Sequence, residues 1–196
     1  MILDVQLLRD NDVTIEIRDS LLYKLQYDTS FIEGDSSYKK AYFHRFYDLI
    51  KVRLIEGVSN GYINNENAIW YQFYLNDSLG GNMVDANKKL LEYRKLNDVI
   101  TSQNQYMNGN ISVNELHRRM VYNSIYDDIN MNTFNYINAV FDNLLFRYPT
   151  TYEFNQCQLM IDDNSTQILM GKSGNNKLDV STITVSYTHL TLPTKA

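Results

Sequence analysis

The sequence predicts an all-α fold, about seven helices in an irregular bundle followed by an irregular C-terminal segment. Proline is scarce: Pro149 and Pro193 are the two in 196 residues, so little along the chain removes a helical backbone donor or clashes with the preceding turn. Apolar residues return at helical spacing through most of the length. Where two of these runs begin, a Ser or Thr stands three positions before a Glu, at Ser112 with Glu115 and at Thr150 with Glu153. That pattern closes a helix N-terminus reciprocally, side chain to backbone in both directions.

The first helix is expected over 13–26, after the polar cluster Arg9-Asp10-Asn11-Asp12, with Ile15, Leu22 and Leu25 on one face. A polar connection over 29–37 follows. The second helix, over 38–56, has the clearest stripe: Phe43, Tyr47, Ile50 and Leu54 fall at i, i+4, i+7 and i+11, and Gly57 is placed to cap its C-terminus. The run 68–75 is open between helix and strand. Ile69, Trp70, Tyr71, Phe73 and Tyr74 favour a strand, whereas the asparagines before them and the helical neighbours favour a short buried helix ended by Gly80-Gly81. A fourth helix over 84–105 points Ala86, Leu90, Tyr93, Leu96 and Ile100 inward. Ser112 opens a fifth through Val121. Asn132 or Thr133 caps a sixth, in which Phe134, Ile137, Phe141 and Leu144 form another stripe. Pro149-Thr150 opens a seventh, and the junction is expected to be a sharp corner, because the residue before a proline is driven out of the α region. Beyond Asp163 the chain is rich in Gly, Asn and Ser and loses periodicity. Residues 1–163 therefore read as one helical domain and 164–184 as an irregular or truncated segment.

The last residues carry a resemblance of their own. Val185-Ser186-Tyr187-Thr188-His189-Leu190-Thr191-Leu192-Pro193-Thr194 resembles one translated frame of a transposon-library sequencing adapter. The resemblance implies that 185–196 is a non-native tail, that the gene was cut near Thr184, and that the tail contributes nothing specific to the fold.

Charge and residue usage exclude several functions. The formal net charge is −5, which speaks against a nucleic-acid partner, since affinity for a phosphate backbone rests on clustered Lys and Arg. Cys157 is the single cysteine, so no internal disulfide or C-x-x-C pair exists and a small buried hydrophobe is expected. With His44 and His117 far apart, no zinc set forms, and neither a metal nor a cofactor is expected. No run approaches the roughly 20 apolar residues of a membrane span. Met1-Ile2-Leu3-Asp4 lacks the basic start of a secretory signal.

Two partial motifs fail when counted. Gly171-Lys172-Ser173 resembles the end of a phosphate-binding loop, but Thr166 stands where the first glycine belongs, and the residues after Ser173 make a poor helix start. Asp128, Asn130 and Asn132 match the opening ligands of a calcium loop, yet Thr133 replaces the required Gly and Ala139 the closing Glu, so the loop cannot close round an ion. Paired carboxylates remain as chemistry. Asp127-Asp128, expected between two helices, and Asp162-Asp163 at a helix end could serve acid–base work only if their surroundings pushed their pKa values apart. The aromatic run at Trp70 and Tyr71 could stack on a sugar, against the plainer reading of core packing.

Ile125-Tyr126-Asp127-Asp128-Ile129-Asn130-Met131-Asn132-Thr133, the helix to Phe146 and then Arg147-Tyr148-Pro149-Thr150 with Glu153-Phe154 resemble uncharacterised helical envelope lipoproteins of Gram-negative bacteria. The resemblance covers 125–177 and implies a periplasmic or outer-membrane setting, with no activity attached. The reading is a non-catalytic binding or structural module of the bacterial cell envelope, whose partner is a protein or a glycan. Its ligand candidates are Trp70, Tyr71, Asp127 and Asp128. The alternatives are a glycan-binding protein using exposed aromatics and a carboxylate-dependent hydrolase.

Overall fold

The structure, a computed structural model, describes residues 37–188. The helix expected over 13–26 lies outside the described residues. The chain divides into two compact units, Met1–Tyr47 and Asp48–Ala196. Of the first unit the description covers the opening half of one helix, where Phe43 and Tyr47 are buried.

Among the described residues there are eight helices and one two-stranded sheet, so the fold is all-α apart from a small hairpin. Helix α1 (Ser37–Ile55) buries the stripe its periodicity predicts, with Ile50 and Leu54 inside together with Ile55. It stops where Gly57 enters the left-handed region at φ +67 and its N–H donates to the Lys51 carbonyl, a conformation glycine adopts without steric cost.

The run 68–75 is helical, the interior of α2 (Asn60–Leu79), whose first turn is capped by the Ser59 hydroxyl. Its β-favouring aromatics are overruled by their neighbours: α2 folds back against α3 (Met83–Met107) across the Gly80-Gly81 turn. Tyr71 stacks on Tyr93 at 5.1 Å and Asn67 donates to the Tyr93 carbonyl at 2.7 Å. These contacts make the pair an antiparallel hairpin.

The inward face expected for α3 holds at Ala86 and Leu96, but Leu90 and Tyr93 are half-buried and Ile100 is exposed. From Leu96 onward the buried positions are Val99, Ser102 and Tyr106. The face rotates because the second half of this long helix also meets α4 (Val113–Val121), whose Arg119 donates to the Asp98 carbonyl and to the Gln105 side chain, and the helix further contacts α5 (Ser124–Asn130). Ser112 caps α4 as expected, yet Glu115 turns to Arg118 and Arg119 instead of reaching back, so half of that capping box forms.

Helix α5, capped by Asn123, is a turn of structure that periodicity missed because it is only seven residues long. Asp127 and Asp128 consequently lie within a helix and not in an interhelical connection. Asn132 caps α6 (Thr133–Leu145), which buries Tyr136, Ile137, Val140, Phe141, Leu144 and Leu145. Phe134 departs from the expected stripe: it is 62% exposed and packs on Phe154 at 5.2 Å. In the first turn of α6 it has nothing of the core in front of it. The exposed carbonyls at the other end of α6 are met by Arg53, which donates to Asn143 and Asp142 at 2.8 and 3.1 Å and lies 4.0 Å over the Phe146 ring. Helix-end carbonyls have no partner in their own helix, so this arginine also fastens α1 to α6.

The corner at Pro149 forms as the sequence predicts. Phe146 ends α6 in the left-handed conformation, and Thr150 caps α7 (Thr151–Asp162) with both halves of the capping box present. The segment 164–184 is not irregular. Strands β1 (Gln167–Leu169) and β2 (Lys172–Gly174) pair antiparallel with Leu169 opposite Lys172. They are joined by Met170 and Gly171, both at positive φ, the requirement of a tight two-residue hairpin turn. Helix α8 (Lys177–Ser186), capped by Asn176, follows and buries Val180, Ile183 and Val185. The apolar periodicity of α8 is masked in the sequence because Ser and Thr alternate with its branched residues and because its last residues fall in the adapter-like stretch. The expectation that residues from Val185 onward contribute nothing specific is likewise corrected for those described. Val185 is in the core, Ser186 accepts from Lys172 at 2.7 Å and the Tyr187 hydroxyl donates to the Met170 carbonyl.

Candidate functional site

The four residues singled out from the sequence occupy three different settings. Trp70 is half-buried; its indole N–H donates to the Ser124 hydroxyl at 3.0 Å and its ring meets Phe73 edge-on at 5.9 Å. It fastens α2 to the start of α5. Tyr71, one residue on and therefore a quarter-turn round the helix, is 40% exposed and stacks between Tyr74 and Tyr93. Asp127 pairs with the Lys177 ammonium, which itself lies 4.1 Å from the centre of the Tyr136 ring. Asp128 is exposed. Trp70 is thus brought to the helix that carries the two aspartates, but through packing and not through a shared cavity. Asp162, from the other acidic pair, accepts from the Thr133 hydroxyl at 2.6 Å.

A groove of about 520 Å³ lies along the exposed side of α6. Asn135, Asn138, Ala139 and Asp142 form its floor, at i, i+3, i+4 and i+7, one face of the helix. Ile129 and Asn130, at the end of α5, close it on one side, and Phe134 and Tyr148 contribute aromatic rings that are 62% and 72% exposed. The Pro149 corner holds Tyr148 in position. Arg147 donates to both Glu153 oxygens at 2.6 and 2.8 Å and to the Tyr148 carbonyl at 3.1 Å. Glu153 also accepts from the Thr150 N–H. Arginine and these hydrogen bonds hold the Glu153 carboxyl down at about 2, so the clamp stays charged.

The polar groups of the groove have a definite polarity. Asn130 donates its amide N–H to the Tyr126 carbonyl at 2.7 Å, and Asn138 donates to the Phe134 carbonyl at 2.9 Å. A backbone carbonyl can only accept, so each of these bonds takes one N–H of the side-chain NH2 and leaves the amide oxygen as an acceptor. Asp142 has no ion-pair or hydrogen-bond partner for its carboxylate among the described residues. It is the groove's only titratable group apart from the Tyr148 phenol. General acid–base chemistry needs two groups with opposed protonation states, and this surface supplies one carboxylate. Cys157 offers no nucleophile: it is buried, and burial pushes its thiol up to about 12. Burial likewise raises the Tyr126 and Tyr136 hydroxyls above their ordinary value. Among the described residues no three His, Cys, Asp or Glu side chains gather to hold a metal ion.

The floor of the groove was visible in the sequence as the polar reverse of the Ile137–Phe141–Leu144 stripe, an asparagine-rich face at helical spacing. Its walls were not, since Asn130 and Tyr148 reach it from separate elements. Comparison of the chain with family models, curated proteins and solved structures finds no match.

Proposed function

We propose that the protein is a non-catalytic binding module of the bacterial cell envelope and that the α6 groove is its binding surface. The observation that carries this reading is the makeup of the groove. Aromatic rings stand beside a row of uncommitted hydrogen-bonding groups, with a single carboxylate and no second acid or base. That combination orients a ligand and cannot move its protons. The envelope setting is supported by the resemblance of 125–177 to helical envelope lipoproteins, the stretch in which every groove residue falls. A glycan stacked on Trp70 draws less support, because the indole N–H is already bonded and the ring is half-buried. A carboxylate-dependent hydrolase draws none from Asp127, which is held in an ion pair.

The test is a titration of the isotope-labelled protein with two probes, an N-acetylglucosamine tetrasaccharide and cadaverine, followed by amide chemical shifts. Saturable shifts at Asn130, Asn135, Asn138 and Tyr148, with the probe recovered unchanged, are expected for at least one of them. Conversion of a probe, or shifts confined to the Trp70 region, would overturn the reading.

A further inference from the structure

Building on the binding-module reading, we infer that the groove takes the primary ammonium group of an alkyl chain. The inference comes from the groove's carboxylate, Asp142, and the exposed rings beside it. Asn130 and Asn138 each spend one N–H on the carbonyls of Tyr126 and Phe134 and keep their side-chain oxygens as acceptors. Asp142 offers a carboxylate that makes no ion pair with a cation of the described residues. A ligand that brings positive charge and donors matches this carboxylate and these oxygens. A primary ammonium supplies three donors and accepts nothing. Its hydrogen bonds to a carboxylate are of the stronger, charge-assisted kind.

The remaining lining agrees. Phe134 and Tyr148 are exposed aromatic rings of the kind that attracts an ammonium, and Ile129 and Ala139 give methylene groups an apolar surface. The volume, about 520 Å³, is far larger than an ammonium head and accommodates the chain behind it. Arg53 and Arg147 are both engaged in other contacts. Arg53 caps the α6 carbonyls and covers Phe146, and Arg147 holds Glu153, so neither lines the groove or neutralises Asp142. An anionic ligand would meet Asp142 with no compensating charge. A calcium ion would find one carboxylate, where such sites use several. A neutral sugar would leave the Asp142 charge unanswered.

The same ammonium chemistry is offered by a free diamine and by a lysine side chain of a polypeptide, and the experiment separates them. Cadaverine, a lysine blocked at both backbone ends, 1,5-pentanediol as the uncharged counterpart and the N-acetylglucosamine tetrasaccharide are titrated against the whole chain and against Asp142→Asn. Both proteins are first checked for equal thermal midpoints. Asp142 is exposed, so this variant keeps its fold. Cadaverine or blocked lysine should shift the groove amides, pentanediol should not, and Asp142→Asn should weaken the ammonium ligands by about tenfold. The tighter of the two ammonium probes identifies the source. Added salt should weaken both. Equal binding of pentanediol and cadaverine, or unchanged affinity in Asp142→Asn, overturns the inference. Shifts from the tetrasaccharide alone overturn it while leaving the binding-module reading standing, whereas no groove shift from any probe defeats both.

Discussion

Glu153 shows how much a single side chain can organise. Its two oxygens receive both Arg147 nitrogens, the Thr150 N–H and the Thr150 hydroxyl, and the carboxyl titrates at about 2 instead of the ordinary 4.5. A carboxyl whose folded pKa is depressed contributes stability that is fully present above its unfolded pKa and is lost as pH falls through the folded one. The stability gap between the parent and Glu153→Gln should therefore be constant above pH 4.5 and shrink as pH falls toward 2. Chemical denaturation at a series of pH values checks this, and a gap that does not change with pH would count against the clamp. Phe141 and Phe134 make the contrasting pair. Phe141 is fully buried and Phe134 is 62% exposed. Phe141→Ala should cost about 3–5 kcal/mol, whereas Phe134→Ala should cost no more than the roughly 0.5–1.5 kcal/mol of an aromatic contact. Equal losses would mean that α6 is turned the other way.

At the level of the element, the legible signals were those that act within a few residues. The capping box at Thr150 and the corner before it were readable because proline restricts its neighbour and Glu153 lies one helical turn from the hydroxyl it answers. Thr150→Ala should destabilise by about 0.5–2 kcal/mol, measured by thermal or urea unfolding. The hairpin was not readable. Its turn puts Met170 at φ +49 beside Gly171 at φ +77, and a methionine in that conformation is unusual enough that no sequence rule points to it. Gly174, where the hairpin meets α8, is constrained by closeness. A Cβ there would lie 2.5 Å from the Met160 terminal methyl and 2.6 Å from Asp179 Cβ. The methyl can swing aside, but Asp179 is held by accepting the Asn175 N–H at 2.8 Å and by the cap of α8. Gly174→Ala should cost about 1–3 kcal/mol, the usual range for overpacking, and a neutral result would show that the hairpin stands further from α8.

For the molecule as a whole, the last described helix ties the residues just beyond Thr184 into the fold. Val185 is 3% exposed, and Ser186 and Tyr187 bond back to the hairpin. Burying a valine is worth about 1.5–3 kcal/mol, so a chain ending at Thr184 should melt several degrees below one ending at Thr188. Equal melting temperatures would return Val185 to the role of a passive tail. An adapter origin for these residues is compatible with their packing, since a branched apolar residue that continues a helix at the right spacing is buried whatever its source.

What the sequence by itself determined is the class of structure and the ends of α1, α4, α6 and α7. Scarce proline, the stripe from Phe43 to Leu54 and the capping pair Thr150 and Glu153 act through neighbours no more than a few turns away, and local chemistry of that range is written in the order of residues. The tertiary structure alone decided which face of α3 is buried beyond Leu96, that Trp70 spends its N–H on Ser124, and that Asp127 is neutralised by Lys177, fifty residues away. It also made the groove. Asn130, the outer face of α6 and Tyr148 meet only because the left-handed residue at Phe146 and the Pro149 corner turn the chain back. The direction of each asparagine amide follows from the backbone carbonyl it faces. Contacts between elements depend on how whole helices pack, and no local pattern encodes them.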